Sequence, residues 1–242
     1  MVSFRSHLAQ TRDRTGSRRG YLTAILLVLA LTTGVLSAKE PADPVLAAWL
    51  NAHRQLQTWS ADLVQTRHLA ALAQPLISTG VVYYCQPGLF RWELGQPPET
   101  IAIRSTRELL LVYPGLHRAE RYPIDQGKAG PLRDALTLME AGFPKDEASL
   151  RKQYNLSTST STNGQCQVLL EPRAAATKRL VSRVALTFQT NVFSLAATSI
   201  EFADGSRLEN QFTTRPGNQP LPPQLFSTNL PADYQLVEPF KP

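Results

Sequence analysis

The sequence predicts an α+β protein: one antiparallel sheet wrapped around an apolar interior, with a helix before it and helices inserted halfway along. Three observations predict it. The stretch Leu76–Leu94 runs through the strand formers Val81, Val82, Tyr83 and Tyr84 into Gln86-Pro87-Gly88 and out through Leu89, Phe90, Arg91 and Trp92. Pro-Gly joins a preset φ to a residue that tolerates φ > 0, so the chain reverses there. Apolar residues in both phases suit strands buried on more than one side. Short strand patterns separated by turn signals then recur at the density of an antiparallel meander. Finally, a helical pattern through Leu132, Leu136 and Met139 breaks the strand series. Helices that short are stable only against something apolar, so they cap a sheet's mouth or fill one face. Periodicity alone also accommodates two core strands of an ordinary β-sandwich.

In chain order, Arg18-Arg19 precede an uncharged run from Tyr21 to Leu36 and the small residues Ser37-Ala38. That order is a secretory signal peptide, and the run falls short of the roughly 20 residues that span a bilayer comfortably. Residues 1–38 are expected to be a signal peptide cleaved after Ser37 or Ala38, and residues 39–242 the exported domain. An uncleaved anchor is the alternative. Ser17-Arg18-Arg19-Gly20 is a faint twin-arginine match.

Asp43-Pro44 sets a good N-cap before proline at the first helical position. Leu46, Trp49, Leu50, His53 and Leu56 follow at helical spacing, with His53 read as a core-edge residue. From Trp59 the period becomes two, and the face Trp59, Ala61, Leu63, Gln65, Arg67 starts apolar and turns polar, so this strand is expected to leave the core near Gln65. Ala70 to Pro75 connect it to the Pro-Gly pair. Thr100–Ile103, Glu108–Tyr113 and His117–Tyr122 read as further strands, divided by Ser105-Thr106-Arg107 and Pro114-Gly115. Gly130-Pro131 opens the mid-chain helix, Gly142 stops it, and Pro144 is expected to start a second short one through Leu150. Strands resume at Tyr154–Ser157 and Gln165–Glu171, then a loop runs from Pro172 to Lys178. Leu180, Val184, Leu186 and Phe188 share one face of the next strand. Asp204-Gly205 between two strand patterns is the strongest hairpin signal. The proline-rich tail from Pro216 is expected to wrap over a sheet edge, where it would blunt an exposed strand.

Charge and chemistry narrow the function classes. Of the formal net charge of +6, four units come from the five arginines and one aspartate before residue 39, leaving +2. Nucleic-acid binding thereby loses its electrostatic support. Cys85 and Cys166, an even pair in an exported chain, are read either as a disulfide closing a long loop or as two buried thiols. No nucleophile elbow, phosphate loop, Cys-x-x-Cys or histidine pair with metal-ligand spacing occurs, so neither a metal nor catalysis is expected and the chain reads as a binder.

The segments Trp59-Ser60-Ala61-Asp62-Leu63-Val64-Gln65 and Gly80 to Trp92, then Pro97-Pro98-Glu99, Leu109 to Tyr113, the mid-chain helices and the late hairpin with Leu225-Phe226, resemble the periplasmic outer-membrane lipoprotein carrier (LolA-like) family over roughly residues 44–238. The resemblance implies an unclosed, strongly curved antiparallel sheet, a half-barrel, with an N-terminal helix and lid helices over an apolar cavity. It implies no cofactor, a monomer, and lipoprotein or related lipid cargo shuttled across the periplasm between an inner-membrane release complex and an outer-membrane acceptor. On this chain the cavity lining implied is Leu63, Val82, Tyr84, Phe90, Trp92, Ile101, Leu111 and Phe188, and the lid is Leu132, Leu136 and Met139. Typical members place an arginine before the turn proline to latch the lid. Here that position is Gln86, which can donate but lacks the guanidinium's charge and fork. The rival readings are a sensor or scaffold that binds a protein partner through the same sheet, and a hydrolase with an unrecognised site.

Overall fold

A computed structural model describes residues 43–124, 144, 146–160 and 163–239. The chain divides into Met1–Glu40 and Pro41–Pro242, and the described residues belong to the second unit. The leader expected over 1–38 and the lid residues Leu132, Leu136 and Met139 lie outside the described residues.

Helix α1 (Pro44–Arg54) forms where the cap and spacing place it. Asp43 Oδ1 accepts from the backbone N–H groups of Val45 and Leu46 at 2.8 and 3.2 Å. Leu46, Trp49, Leu50 and His53 make its buried stripe. The Thr158 hydroxyl donates to the other Asp43 oxygen, so one side chain both caps the helix and ties it to the sheet. That hydroxyl, with the N–H groups of Leu46 and Val45, holds the Asp43 carboxyl below its ordinary range against the opposing effect of burial. A carboxyl depressed in the folded state stabilises fully above its unfolded value of about 4, and the contribution fades as pH falls through the folded value. Asp43→Asn, which keeps a capping oxygen, should therefore melt below wild type at pH 7 and converge on it in acid. Parallel melts across pH 2–7 check this, and a gap that stays constant would contradict it.

Among the described residues twelve strands form one sheet: β1 (Thr58–His68), β2 (Leu76–Cys85), β3 (Leu89–Leu94), β4 (Thr100–Arg104), β5 (Glu108–Tyr113), β6 (Arg118–Pro123), β7 (Tyr154–Thr160), β8 (Gln165–Pro172), β9 (Val181–Gln189), β10 (Leu195–Phe202), β11 (Arg207–Thr214) and β12 (Gln235–Val237). Their order is β12-β6-β5-β4-β3-β2-β1-β11-β10-β9-β8-β7, with β7 and β12 at opposite edges, so this strongly curved sheet stays unclosed. All pairings are antiparallel except that of β12 with β6. The tail thus covers an edge as expected, by adding a short parallel strand to it. On the way it anchors itself: Asn218 Oδ1 accepts from Gln57 N–H at 2.6 Å, and Leu225 O accepts from Arg91 at 3.2 Å.

Three local expectations change. The helix after residue 143, α2 (Glu147–Gln153), begins three residues later than Pro144, because Asp146 takes the N-cap and accepts from Ser149 N–H at 2.7 Å. The loop after Pro172 contains a short helix, α3 (Ala175–Lys178). Leu180 lies before β9 and is exposed, while Val181 is buried in its place. A register shift opposite Val181, between Glu201 and Phe202, explains the changed phase.

Candidate functional site

Register sorts every strand residue to one of two faces, because directly opposed residues share a side. Across the sheet centre, Trp92, Val82 and Ala61 stand in one row; Phe90, Tyr84 and Trp59 form the next. Gly80, Leu63 and Phe212 form a third. Beyond them, Val184, Leu186 and Phe188 of β9 face the same way as Cys166, Val168 and Leu170 of β8. This is the inner face, against which α1 packs: Trp49 stacks on Phe188 with ring centroids 4.8 Å apart and planes 4° from parallel. Leu150 of α2 joins the same cluster.

Of the eight residues expected to line a cavity, Leu63, Val82, Tyr84, Phe90 and Phe188 are buried in this one cluster, with Trp92 half-buried against it. Leu111 is half-buried on the same face, two strands beyond Trp92. Ile101 is a correction. Its neighbour Ala102 opposes Trp92, so Ile101 projects from the other face. There it packs with Ile103, Leu110, Val112 and Ala119 beneath Leu230 and Tyr234 of the tail. Apolar residues on β4 and β5 serve two cores, and an apolar side chain alone could not say which.

Gln65 is a second correction. It stays in the core, 7% exposed, because Asn210 across the strand accepts from its amide at 3.0 Å and itself donates to Thr198 Oγ1 at 3.0 Å. Asn210→Ala should strand the buried Gln65 amide at a cost of about 1–3 kcal/mol, read as a melting shift of several degrees. An unchanged melting temperature would mean the pair contributes nothing.

The disulfide reading fails on geometry. Cys85 and Cys166 are both free, on opposite faces, with β1, β11, β10 and β9 between their strands. A disulfide needs Cα atoms within about 7 Å. Burial pushes the Cys166 thiol's pKa up, as befits an unreactive core sulfur.

Near the Pro-Gly turn, Gln86 N–H donates to Gln57 O at 2.8 Å, while the lid segment its side chain was expected to latch lies outside the described residues. Arg91 is engaged elsewhere, with Glu93 and the tail. Arg104, on the inner face, donates to Gly88 O of the turn. The sequence reading missed a polar cluster on β5 and β6. Arg118 Nη2 donates to Glu120 Oε1 at 2.7 Å, and Tyr122 OH donates to Glu120 Oε2 at 2.6 Å. The bond to Glu120 keeps the proton on Tyr122, and with burial as the next cause it pushes that phenol's pKa up to about 12. The signal was present as Arg118-x-Glu120-x-Tyr122, an alternation that puts three polar groups on one face of a strand.

On the opposite, outer face an open groove of about 980 Å³ crosses β9 to β3, lined among others by Asp62, Thr79, Val81, Thr187, Gln189, Gln211 and Thr213. Among the described residues no helix is long and apolar enough to cross a membrane, and no group of acidic, histidine or cysteine side chains could hold a metal ion.

The family model described as Outer membrane lipoprotein carrier protein LolA matches residues 54–229. A search of curated proteins finds no match. Among solved structures, the chain is similar to an uncharacterized conserved protein from Thermus thermophilus, at 12% identity over 79% of this chain and 97% of that one, with a TM-score of 0.48. It is similar to a LolA superfamily protein from Nitrosomonas europaea at 12% identity over 74% and 96%, TM-score 0.37. It is also similar to the MucA/MucB complex structure from Pseudomonas aeruginosa at 18% identity over 79% and 62%, TM-score 0.36.

Proposed function

This chain belongs to the outer membrane lipoprotein carrier protein LolA family, and from that premise we propose that it is an exported periplasmic carrier that binds the acyl chains of lipoproteins or related lipids and moves them toward the outer membrane. The observation that carries the reading is the apolar surface of the inner face that stays only partly covered. Trp92, Leu94, Leu111, Ile200, Phe202 and Phe212 all stand half-buried on the inner face. Helix α1 meets that face through Trp49 on β9 and its cap Asp43 on β7, at the other end of the strand order from β5, and α2 adds Leu150 to the same cluster. Each acyl methylene moved from water onto such a surface contributes about 0.8 kcal/mol, so one long chain outweighs the ordering of a few side chains. Release then depends on a cover of moderate strength.

An organic extract of the purified protein, read by mass spectrometry, tests the proposal. Acyl lipid in the extract is expected. An empty extract, together with no uptake of a fluorescent acyl probe, would refute the carrier. The mass of the mature N-terminus reads the leader in the same run.

A partner-binding scaffold is the second reading, favoured by the groove on the outer face, whose hydroxyl, amide and apolar lining suits a polypeptide. It expects a protein that copurifies and is lost on Gln211→Arg, with acyl-probe uptake unchanged.

A further inference from the structure

Charge is sorted between the faces of the sheet. On the outer side, Asp62, Glu93, Glu108, Glu201 and Glu209 are each ion-paired, with Arg215, Arg91, Arg121, Arg183 and Arg207 respectively. By register the charged strand residues of the inner face are Arg67, Arg104, Arg118 and Glu120, a surplus of positive charge on the side otherwise given to apolar residues. Arg67 is exposed and the Arg118 side chain is 43% exposed, so their charge stays within reach of a ligand.

The cluster on β5 and β6 shows what kind of partner this charge suits. Both Glu120 oxygens are taken, one by Arg118 Nη2 and one by Tyr122 OH. Among the described residues Arg118 has spent only that one nitrogen, and its Nε is a buried donor with no acceptor. Tyr113 stands directly opposite Arg118 in the ladder, half-buried and close enough to Glu120 and Arg118 to feel both charges. What remains open at this spot is therefore donors: Arg118 Nη1 and a phenol hydroxyl. A guanidinium held on one side by a carboxylate presents its remaining N–H groups in a fixed direction, which suits a phosphate or carboxylate rather than a cation or a neutral sugar. Leu111 lies beside Glu120 in the ladder, and Ala102 and Trp92 continue the row. The apolar track thus ends at Glu120, with the donors Arg118 and Tyr113 in the row beside it.

We propose that the β5–β6 end of the inner face is a headgroup site, with Arg118 and Tyr113 donating to an anionic, oxygen-rich group whose acyl chains lie along the track toward Trp92. This rests on the carrier reading and adds the cargo class to it: anionic lipid rather than neutral lipid. Glu120 acts as a positioning residue that aims Arg118.

The test compares a fluorescent-acyl phosphatidic acid with the matching diacylglycerol, titrated into the full chain after the leader, with inorganic phosphate as a third arm. Wild type should bind the phosphate-bearing lipid about tenfold tighter or more, the range expected of charge-assisted hydrogen bonds. Arg118→Gln should abolish that preference by weakening the phosphate-bearing lipid alone. Tyr113→Phe, which removes one hydroxyl and no volume from the fold, should narrow it about threefold. Equal binding of the two lipids by wild type, or an equal loss of both in Arg118→Gln, would overturn the headgroup site while leaving the carrier reading standing. Inorganic phosphate protecting the lipid-free protein from heat as well as the lipid does would assign the donors to a free anion and overturn it too. Binding of neither lipid would overturn the carrier reading, and the headgroup site with it.

Discussion

Gly80→Ala should cost about 3 kcal/mol or more, a fall of about 6–12 °C in Tm for a chain of this size. A Cβ at Gly80 would lie 1.9 Å from the Glu93 carbonyl oxygen and 2.9 Å from its carbonyl carbon. Those are backbone atoms of the neighbouring strand, so no side chain can rotate out of the way. Gly80 opposes Leu94 on β3 and Leu63 on β1. At this point β3 is ending: Gly95 N–H donates to Thr79 O at 2.8 Å, and Glu99 N–H closes the next turn onto Leu94 O at 2.7 Å. The close approach lets the chain leave β3 toward β4 without breaking the ladder, a role glycine takes in strand interiors. Relieving the clash would push β3 away from β2 and disturb the row through Leu63. Gly115→Ala is the matched control, since a Cβ there meets nothing within 4 Å. Calorimetric melts of the two variants check the contrast. Equal melting temperatures would remove the close-approach argument.

The Gly80 position also shows where the sequence was legible. Strong local signals located the elements: Asp43-Pro44 for α1, Pro87-Gly88 for the β2–β3 turn, Asp204-Gly205 for the β10–β11 turn. Each rests on a backbone preference confined to a few residues, so no tertiary knowledge was needed. What failed needed the other strands. The phase of β4 is set by β3, and Ile101 looked inward only because a second core under Leu230 and Tyr234 had no sequence signature. Gln65 looked like an exit from the core until Asn210, far along the chain, supplied its partner. The pairing of Cys85 with Cys166 was sound chemistry for an exported chain but required a strand order to exclude it. The β6 cluster was visible as alternation, yet nothing local said that its polar face points inward.

Trp49→Ala should destabilise the protein by about 3–5 kcal/mol, lowering Tm by about 6–20 °C, whereas Trp49→Phe should stay within about 1 kcal/mol of wild type. The side chain is fully buried, stacked on Phe188 and tilted against His53 at 4.8 Å. Truncation to alanine leaves a cavity between α1 and β9 that Phe188 cannot fill without moving the helix. Phenylalanine keeps the stack and loses one fused ring. It also loses the indole N–H, which is buried with no acceptor among the described residues. A stranded donor carries a desolvation cost of about 1–3 kcal/mol, and its removal offsets much of the lost contact area. The large gap between the two variants thus reads that unpaired N–H together with the retained stack. A phenylalanine variant as unstable as the alanine one would mean the indole nitrogen is bonded after all. The pair reads function as well. If α1 is a fixed wall of the lipid site and not a gate, Trp49→Phe should take up an acyl probe like wild type. Any loss in Trp49→Ala should then match its unfolded fraction, and a loss of uptake in fully folded protein would make α1 part of the moving cover.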